Sequence, residues 1–202
     1  SVSEQWAGAS IAGPKSRDVL NECLLDPNQI TNENLPFMGV LETKLKEGTP
    51  CRVVRISFSG ELAYEMYIES DYAHGMMDLL WESAKKYDGC LYGLEALGAL
   101  RVEKGHVTAA ELDGRVTIDD AGLGKMASTK KSYIGSAMRK RGVLNADDRE
   151  MLVGFFPINE KETFNAGTIV CEKNNIQGQG IGRITSVTHS PELGHWIGIG
   201  YV

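Results

Sequence analysis

The residue whose setting most suggests chemistry is Glu65, which closes the run R-I-S-F-S-G-E-L-A-Y-E over residues 55–65. An ionised carboxylate only accepts hydrogen bonds and has two oxygens, so it can grip a pair of adjacent N–H donors on a ligand. The same side chain on a polar strand face can equally be a solvated surface group. A second suggestive run is GQGIGR, with Gly178, Gly180 and Gly182. A nucleotide-binding loop needs a strand before such glycines and a helix after them. Here they lead into Arg183-Ile-Thr-Ser-Val-Thr, a strand-like segment, so bends or close backbone approach explain them better. A third run is basic and holds Lys130, Lys131, Arg139, Lys140 and Arg141. It reads as a solvated helix face ahead of an anion site.

Other reactive types are dispersed. Cys23, Cys51, Cys90 and Cys171 form no CxxC pair, and His74, His106, His189 and His195 show no zinc-ligand spacing. No metal site is expected, and the thiols read as reduced cysteines of a cytoplasmic protein. No Ser-His-Asp, HExxH or P-loop pattern occurs. Catalytic residues are therefore not assigned from the motifs.

The elements that must carry these residues follow from periodicity. Residues 6–12 read as a strand, and Gly13-Pro14 opens a helix whose Val19, Leu20, Cys23 and Leu24 share one apolar face. Strand-like runs follow at 40–46, 52–58 and 62–69, the last two joined by a hairpin-type turn at Ser59-Gly60-Glu61. Over residues 62–69 the alternation is clean. Leu62, Tyr64, Met66 and Ile68 point one way, and Ala63, Glu65, Tyr67 and Glu69 the other. Asp71 is placed to cap a helix whose Met77, Leu80, Trp81 and Ala84 form a stripe expected in the core. Another helix is expected over 94–104, then an irregular stretch over 105–124 and a basic helix around 133–140. Beyond a linker at 141–150, strand-like runs at 151–156, 168–172, 181–188 and 196–202 suggest a small antiparallel barrel or sheet.

Composition narrows the function classes. Hydrophobic residues make up 42% and charged residues 24%, a globular mix. A formal net charge of -6 argues against a nucleic-acid binder. No apolar stretch approaches the ~20 residues that span a bilayer, so no membrane association is expected.

Residues 55–65 resemble the hairpin of the aminomethyltransferase family, which includes the glycine cleavage T-protein, dimethylglycine dehydrogenase and sarcosine oxidase. Four further segments resemble the same family in order: S-I-A-G-P-K-S-R-D-V-L (10–20), G-L-E-A-L-G-A-L-R-V-E-K-G (93–105), A-G-L-G-K-M (121–126) and S-V-T-H-S-P-E-L-G-H-W-I-G-I-G-Y-V (186–202). Together they span nearly the whole chain, and their details favour the branch of the sarcosine oxidase alpha subunit. The resemblance implies an α+β fold: the second half of a folate-binding domain (1–144), a mixed sheet with flanking helices, followed by a small antiparallel β-barrel (150–202). The family's domain begins upstream of Ser1, as does its essential Asp, so this stretch alone is expected to be inactive.

The resemblance also implies a site. Tetrahydrofolate offers adjacent N–H donors on its aminopyrimidinone edge, and the position of the family's pterin-binding carboxylate is Glu65 here. Phe58 matches an aromatic position that helps enclose the pterin, usually Tyr. Met126 stands where T-proteins carry Trp, and a thioether can fill that space. Arg101 and Glu103 belong to the family's Arg-x-Glu motif, with ligand contact and a structural ion pair equally open. Leu97 replaces an Arg that T-proteins place one turn earlier, so folate-tail recognition or substrate positioning must differ. The implied activity is acceptance of a one-carbon unit from oxidised sarcosine, giving 5,10-methylenetetrahydrofolate and glycine. Flavin and NAD are expected elsewhere in a complex, with a flavin-carrying sarcosine oxidase subunit as partner. Alternatives are a glycine cleavage aminomethyltransferase, a dimethylglycine dehydrogenase-like enzyme, or a non-catalytic module that docks a flavin subunit.

Overall fold

A computed structural model describes residues 1–175 and 177–202. The residues form two compact units, Ser1–Leu97 and Gly98–Val202. In the first, strands β1 (Trp6–Ala12), β2 (Val40–Lys44), β3 (Pro50–Val54) and β4 (Ala63–Glu69) form a sheet in the order β1-β4-β3-β2. Helices α1 (Ser16–Cys23) and α2 (Ala73–Lys85) supply the apolar cover for one face. Leu20, Cys23 and Leu24 from α1 and the segment after it meet Val53, Tyr64, Met66 and Ile68 of the sheet and Met76 and Leu80 of α2. The alternation expected over 62–69 is the one observed, with Tyr64, Met66 and Ile68 fully buried.

Three local expectations for this unit need correction. All pairings of its sheet are antiparallel, not mixed. Reversing connections lay β2, β3 and β4 side by side, and β1 runs antiparallel against the remaining edge of β4. The β3–β4 connection is a loop over 55–62 and not a tight hairpin. Ser57 Oγ accepts from Gly60 N at 2.9 Å, and Gly60 has φ +91, which the absence of a side chain permits. On α2 the buried positions are Met76, Leu80 and Ser83, and Asp71 lies in a 3-10 turn (Ser70–Tyr72) without capping the helix. The apolar stripe is thus rotated. Met77 and Trp81 line a cleft of about 350 Å³ with Ile11, Pro14 and Leu91.

Helix α3 (Leu94–Lys104) begins in the first unit and ends in the second. The second unit holds an antiparallel sheet of β5 (Leu152–Phe155), β6 (Ile169–Val170), β7 (Gly182–His189) and β8 (Trp196–Tyr201), ordered β5-β8-β7-β6. The glycines of GQGIGR do lead into a strand, and Gly182 lies where a Cβ would collide with Tyr201 O. The boundary expected at 144–150 falls inside this unit. Val102 of α3 clusters with Ile197 and Ile199, and Leu152 N donates to Asp120 O at 2.8 Å. The basic helix expected around 133–140 is instead a series of turns ending in a 3-10 segment, Met138–Lys140. Gly135 adopts φ +90, which interrupts any helix there.

Candidate ligand-binding site

Glu65 is held from both sides, because β4 lies between β1 and β3 and register sets it opposite Ser10 and Val54. Its neighbours Tyr64 and Met66 point into the helix-covered core, so Glu65 emerges on the other face, where it is half-buried. Small residues border it on β1: Gly8 and Ser10 are exposed and Ala12 is half-buried. The result is a carboxylate beside a low floor on which a flat ring could rest.

Tyr67, two residues further along the same face, donates its phenol to Glu65 Oε2. That bond, with burial second, raises the Tyr67 pKa and keeps the phenol in its donating form. Tyr67 lies opposite Gly8, where a Cβ would stand 2.9 Å from Cε1 of the ring. Glycine at that position lets the ring lie against β1. On its other side Tyr67 faces Arg52, whose guanidinium sits 4.7 Å from the centroid of the Trp6 ring and donates to Glu42 at 3.0 Å. Among the described residues Tyr67 is the sole hydrogen-bond donor to the Glu65 carboxylate. A carboxylate has about four lone-pair sites, so this one is oriented yet keeps room for two more donors. Tyr67 was not singled out from sequence; its position two residues from Glu65 on one strand was the available signal.

The remaining expected site residues fall as follows. Phe58 sits at the tip of the 55–62 loop, in the first unit with Glu65, and is 37% exposed. Met126 closes a 3-10 turn (Gly124–Met126) in the second unit and is 73% exposed. Arg101, also in the second unit, donates from Nη1 to Glu111 Oε2 at 2.9 Å and from Nη2 to Ser186 Oγ at 2.7 Å. Glu103 accepts from Ser190.

Glu111 carried no sequence signal, yet it is the most enclosed carboxylate, with no exposure. Its Oε2 accepts from Arg101, from Thr108 N at 2.8 Å and from Thr108 Oγ1 at 3.0 Å; its Oε1 accepts from Thr185 Oγ1 at 2.7 Å and Ser186 Oγ at 2.6 Å. Burial pushes its pKa up, but the hydroxyls of Ser186 and Thr185, the Thr108 backbone and the Arg101 charge outweigh burial and hold it below 4.5. All its acceptor capacity is used within the protein. It is a structural clamp between the segment after α3 and strand β7.

The family model described as the GCVT N-terminal domain matches residues 1–131, and that of the glycine cleavage T-protein C-terminal barrel domain matches residues 151–202. The chain belongs to the glycine cleavage T-protein family. Within that family it is 38% identical over 207 residues to the sarcosine oxidase subunit alpha of Rhizobium meliloti (strain 1021), a match covering 100% of this chain and 21% of that protein. It is 30% identical to an aminomethyltransferase of Halothermothrix orenii, covering 99% of this chain and 54% of that protein. The chain thus spans about a fifth of the sarcosine oxidase alpha subunits it matches. The crystal structure of the glycine cleavage system aminomethyltransferase T from Bartonella henselae shares the fold, with a TM-score of 0.79 over 98% of this chain and 51% of that one at 20% identity. The T-protein family assignment therefore agrees with the α+β architecture and the C-terminal barrel domain.

Proposed function

We propose that this chain holds tetrahydrofolate in a sarcosine oxidase of the alpha-subunit type, with Glu65 as the pterin anchor. The observation that carries the reading is the Glu65 carboxylate itself, fixed by Tyr67, unsaturated, and set beside the small residues of β1. This arrangement fits a planar ligand edge that presents two N–H donors. Phe58 and Met126 would add ring and thioether contact, and Arg101 would act by holding its own segment in place. Bound folate would supply the nucleophile that accepts the one-carbon unit of oxidised sarcosine, giving 5,10-methylenetetrahydrofolate and glycine. The contribution of these residues is to bind and orient, since proximity alone lowers the barrier of such a transfer. The proposal includes a flavin-carrying partner subunit, with flavin and NAD elsewhere in the complex, and a cytoplasmic location. Among the described residues no helix is long and apolar enough to cross a membrane.

A stand-alone aminomethyltransferase is the second reading, favoured by the match to the Halothermothrix orenii protein. Titration calorimetry of tetrahydrofolate into the full-length polypeptide, wild type against Glu65→Gln, tests the anchor. Losing hydrogen bonds to a charged acceptor is worth about 1.5–3 kcal/mol, or roughly 10- to 100-fold in affinity. Undiminished binding in the variant rejects Glu65 as anchor, and no binding by the wild type leaves a docking module. Sarcosine-dependent turnover then separates the oxidase from the aminomethyltransferase.

A further inference from the structure

The second unit contains a hollow of about 590 Å³ whose lining comes from one stretch of chain, between Asp119 and Asn145. Lys130, Lys131 and Lys140 border it together with the hydroxyls of Ser132 and Ser136. The setting is unusual for a chain of net charge -6: residues 121–146 include Lys125, Lys130, Lys131, Arg139, Lys140 and Arg141 but no Asp or Glu. Gly135, at φ +90, turns the chain where a helix was expected. A helix would have spread these cations around its circumference; the turns gather them about one hollow.

The frame of the hollow is fixed by hydrogen bonds that leave the lysines unused. Arg139 donates through Nε and Nη2 to both oxygens of Asp119, at 2.7 Å each, which consumes the one carboxylate of the lining. Asn145 Nδ2 donates to Arg139 O at 2.5 Å and to Arg141 O at 2.9 Å, holding the backbone of the same turn. Lysine ion pairs among the described residues are made by Lys15, Lys85 and Lys86. Lys130, Lys131 and Lys140 make none. Like charges gathered without a counter-charge repel one another and raise the local concentration of anions.

We infer that this hollow binds a small ligand carrying a diphosphate group. Two phosphate groups bring about three to four negative charges at neutral pH, against three uncompensated ammonium groups. A lysine ammonium is a point charge with three donors, suited to phosphoryl oxygens that point in several directions, and the serine hydroxyls add neutral donors. The planar fork that favours a carboxylate is not free, because Arg139 already spends it on Asp119. The volume leaves room beyond the diphosphate for the rest of a nucleotide-sized molecule. The site lies wholly within the second unit and does not depend on the folate reading.

Titration calorimetry of the full-length polypeptide with pyrophosphate, ADP, inorganic phosphate, sulfate and citrate, at low and high salt, tests the inference. Pyrophosphate should bind roughly tenfold more tightly than phosphate, sulfate or citrate at low salt, the sum of several modest exposed pairs. Its affinity should fall as salt rises. Lys130→Gln/Lys131→Gln should weaken it roughly tenfold and Lys140→Gln roughly threefold, with the circular dichroism spectrum unchanged. Lys125→Gln, outside the lining, should have no effect. ADP binding more tightly than pyrophosphate makes the ligand a nucleotide, and equal affinity makes it the diphosphate group alone. Sulfate or citrate matching pyrophosphate means an adventitious ion only and overturns the inference. So does the absence of pyrophosphate binding, an affinity that survives the lysine substitutions, or an equal loss in Lys125→Gln, which would reduce the effect to diffuse surface charge.

Discussion

Two glutamates, one in each compact unit, occupy opposite ends of what a carboxylate can do in a protein. Glu111 has no exposure and five hydrogen-bond donors, and every donor belongs to the protein. Glu65 is half-buried, held by the phenol of Tyr67, and left with accepting capacity on the strand face opposite the helix-covered core. A saturated carboxylate locks a structure, and an oriented but unsaturated one is available to a ligand. Burial and charge alone would have ranked Glu111 as the functional group. Counting satisfied lone pairs reverses the ranking.

The largest effect that could break the comparison is predicted at Glu111. Replacing it with Ala leaves the Arg101 guanidinium facing a cavity without its counter-charge, and breaking such a buried pair destabilises by about 3–5 kcal/mol. Loss of amide-exchange protection in β7 and β8 of Glu111→Ala would show it, because Thr185 and Ser186 anchor β7 to that carboxylate. Protection within about 1 kcal/mol of wild type would mean that the clamp is dispensable. The Glu65→Gln substitution should do the reverse, leaving exchange protection intact while weakening folate binding as stated above.

The acid response sharpens the same contrast. A carboxyl whose folded pKa lies below its unfolded value of 4.5 contributes its full stabilisation above that value. The contribution is lost as pH falls from 4.5 through the lower folded pKa. Protection of β7 and β8 should therefore decline across that window in the wild type, and the component due to Glu111 should be missing in Glu111→Gln. A variant with the same acid profile as wild type would assign the acid sensitivity to other groups. Asp113 offers a comparison, since Arg115 holds its pKa down to about 2 and its contribution should be lost as pH falls from 3.8 through about 2.

The sequence disclosed these two residues unequally, for a physical reason. Glu65 was legible because the period-two pattern over 62–69 fixes which way each side chain points, and Tyr64, Met66 and Ile68 fill the core as that pattern requires. The resemblance of five segments in order disclosed the family. Glu111 was invisible, because its donors come from positions 101, 108, 185 and 186, and a pattern read along the chain does not register pairings made across it. In the α2 stripe Leu80 is buried as expected, whereas Met77 was expected in the core in place of its neighbour Met76, since the two are equally apolar and only packing decides between them. The basic helix failed at Gly135, whose positive φ turns the chain and gathers the lysines into a cavity lining.

The smallest effect concerns what orients Glu65. Tyr67→Phe removes one hydrogen bond from a carboxylate that can still reach water, so the expected cost is about 0.5–1.5 kcal/mol, or roughly 2- to 10-fold in folate affinity. The ring should still lie over Gly8, because the contact there is made by ring carbons and not by the hydroxyl. If Tyr67 orients the anchor without touching the ligand, Tyr67→Phe should have little further effect in a Glu65→Gln background, and the double variant should bind like Glu65→Gln alone. Additive losses from the two substitutions would show that the phenol meets the ligand directly, making Tyr67 a second binding group on the same strand.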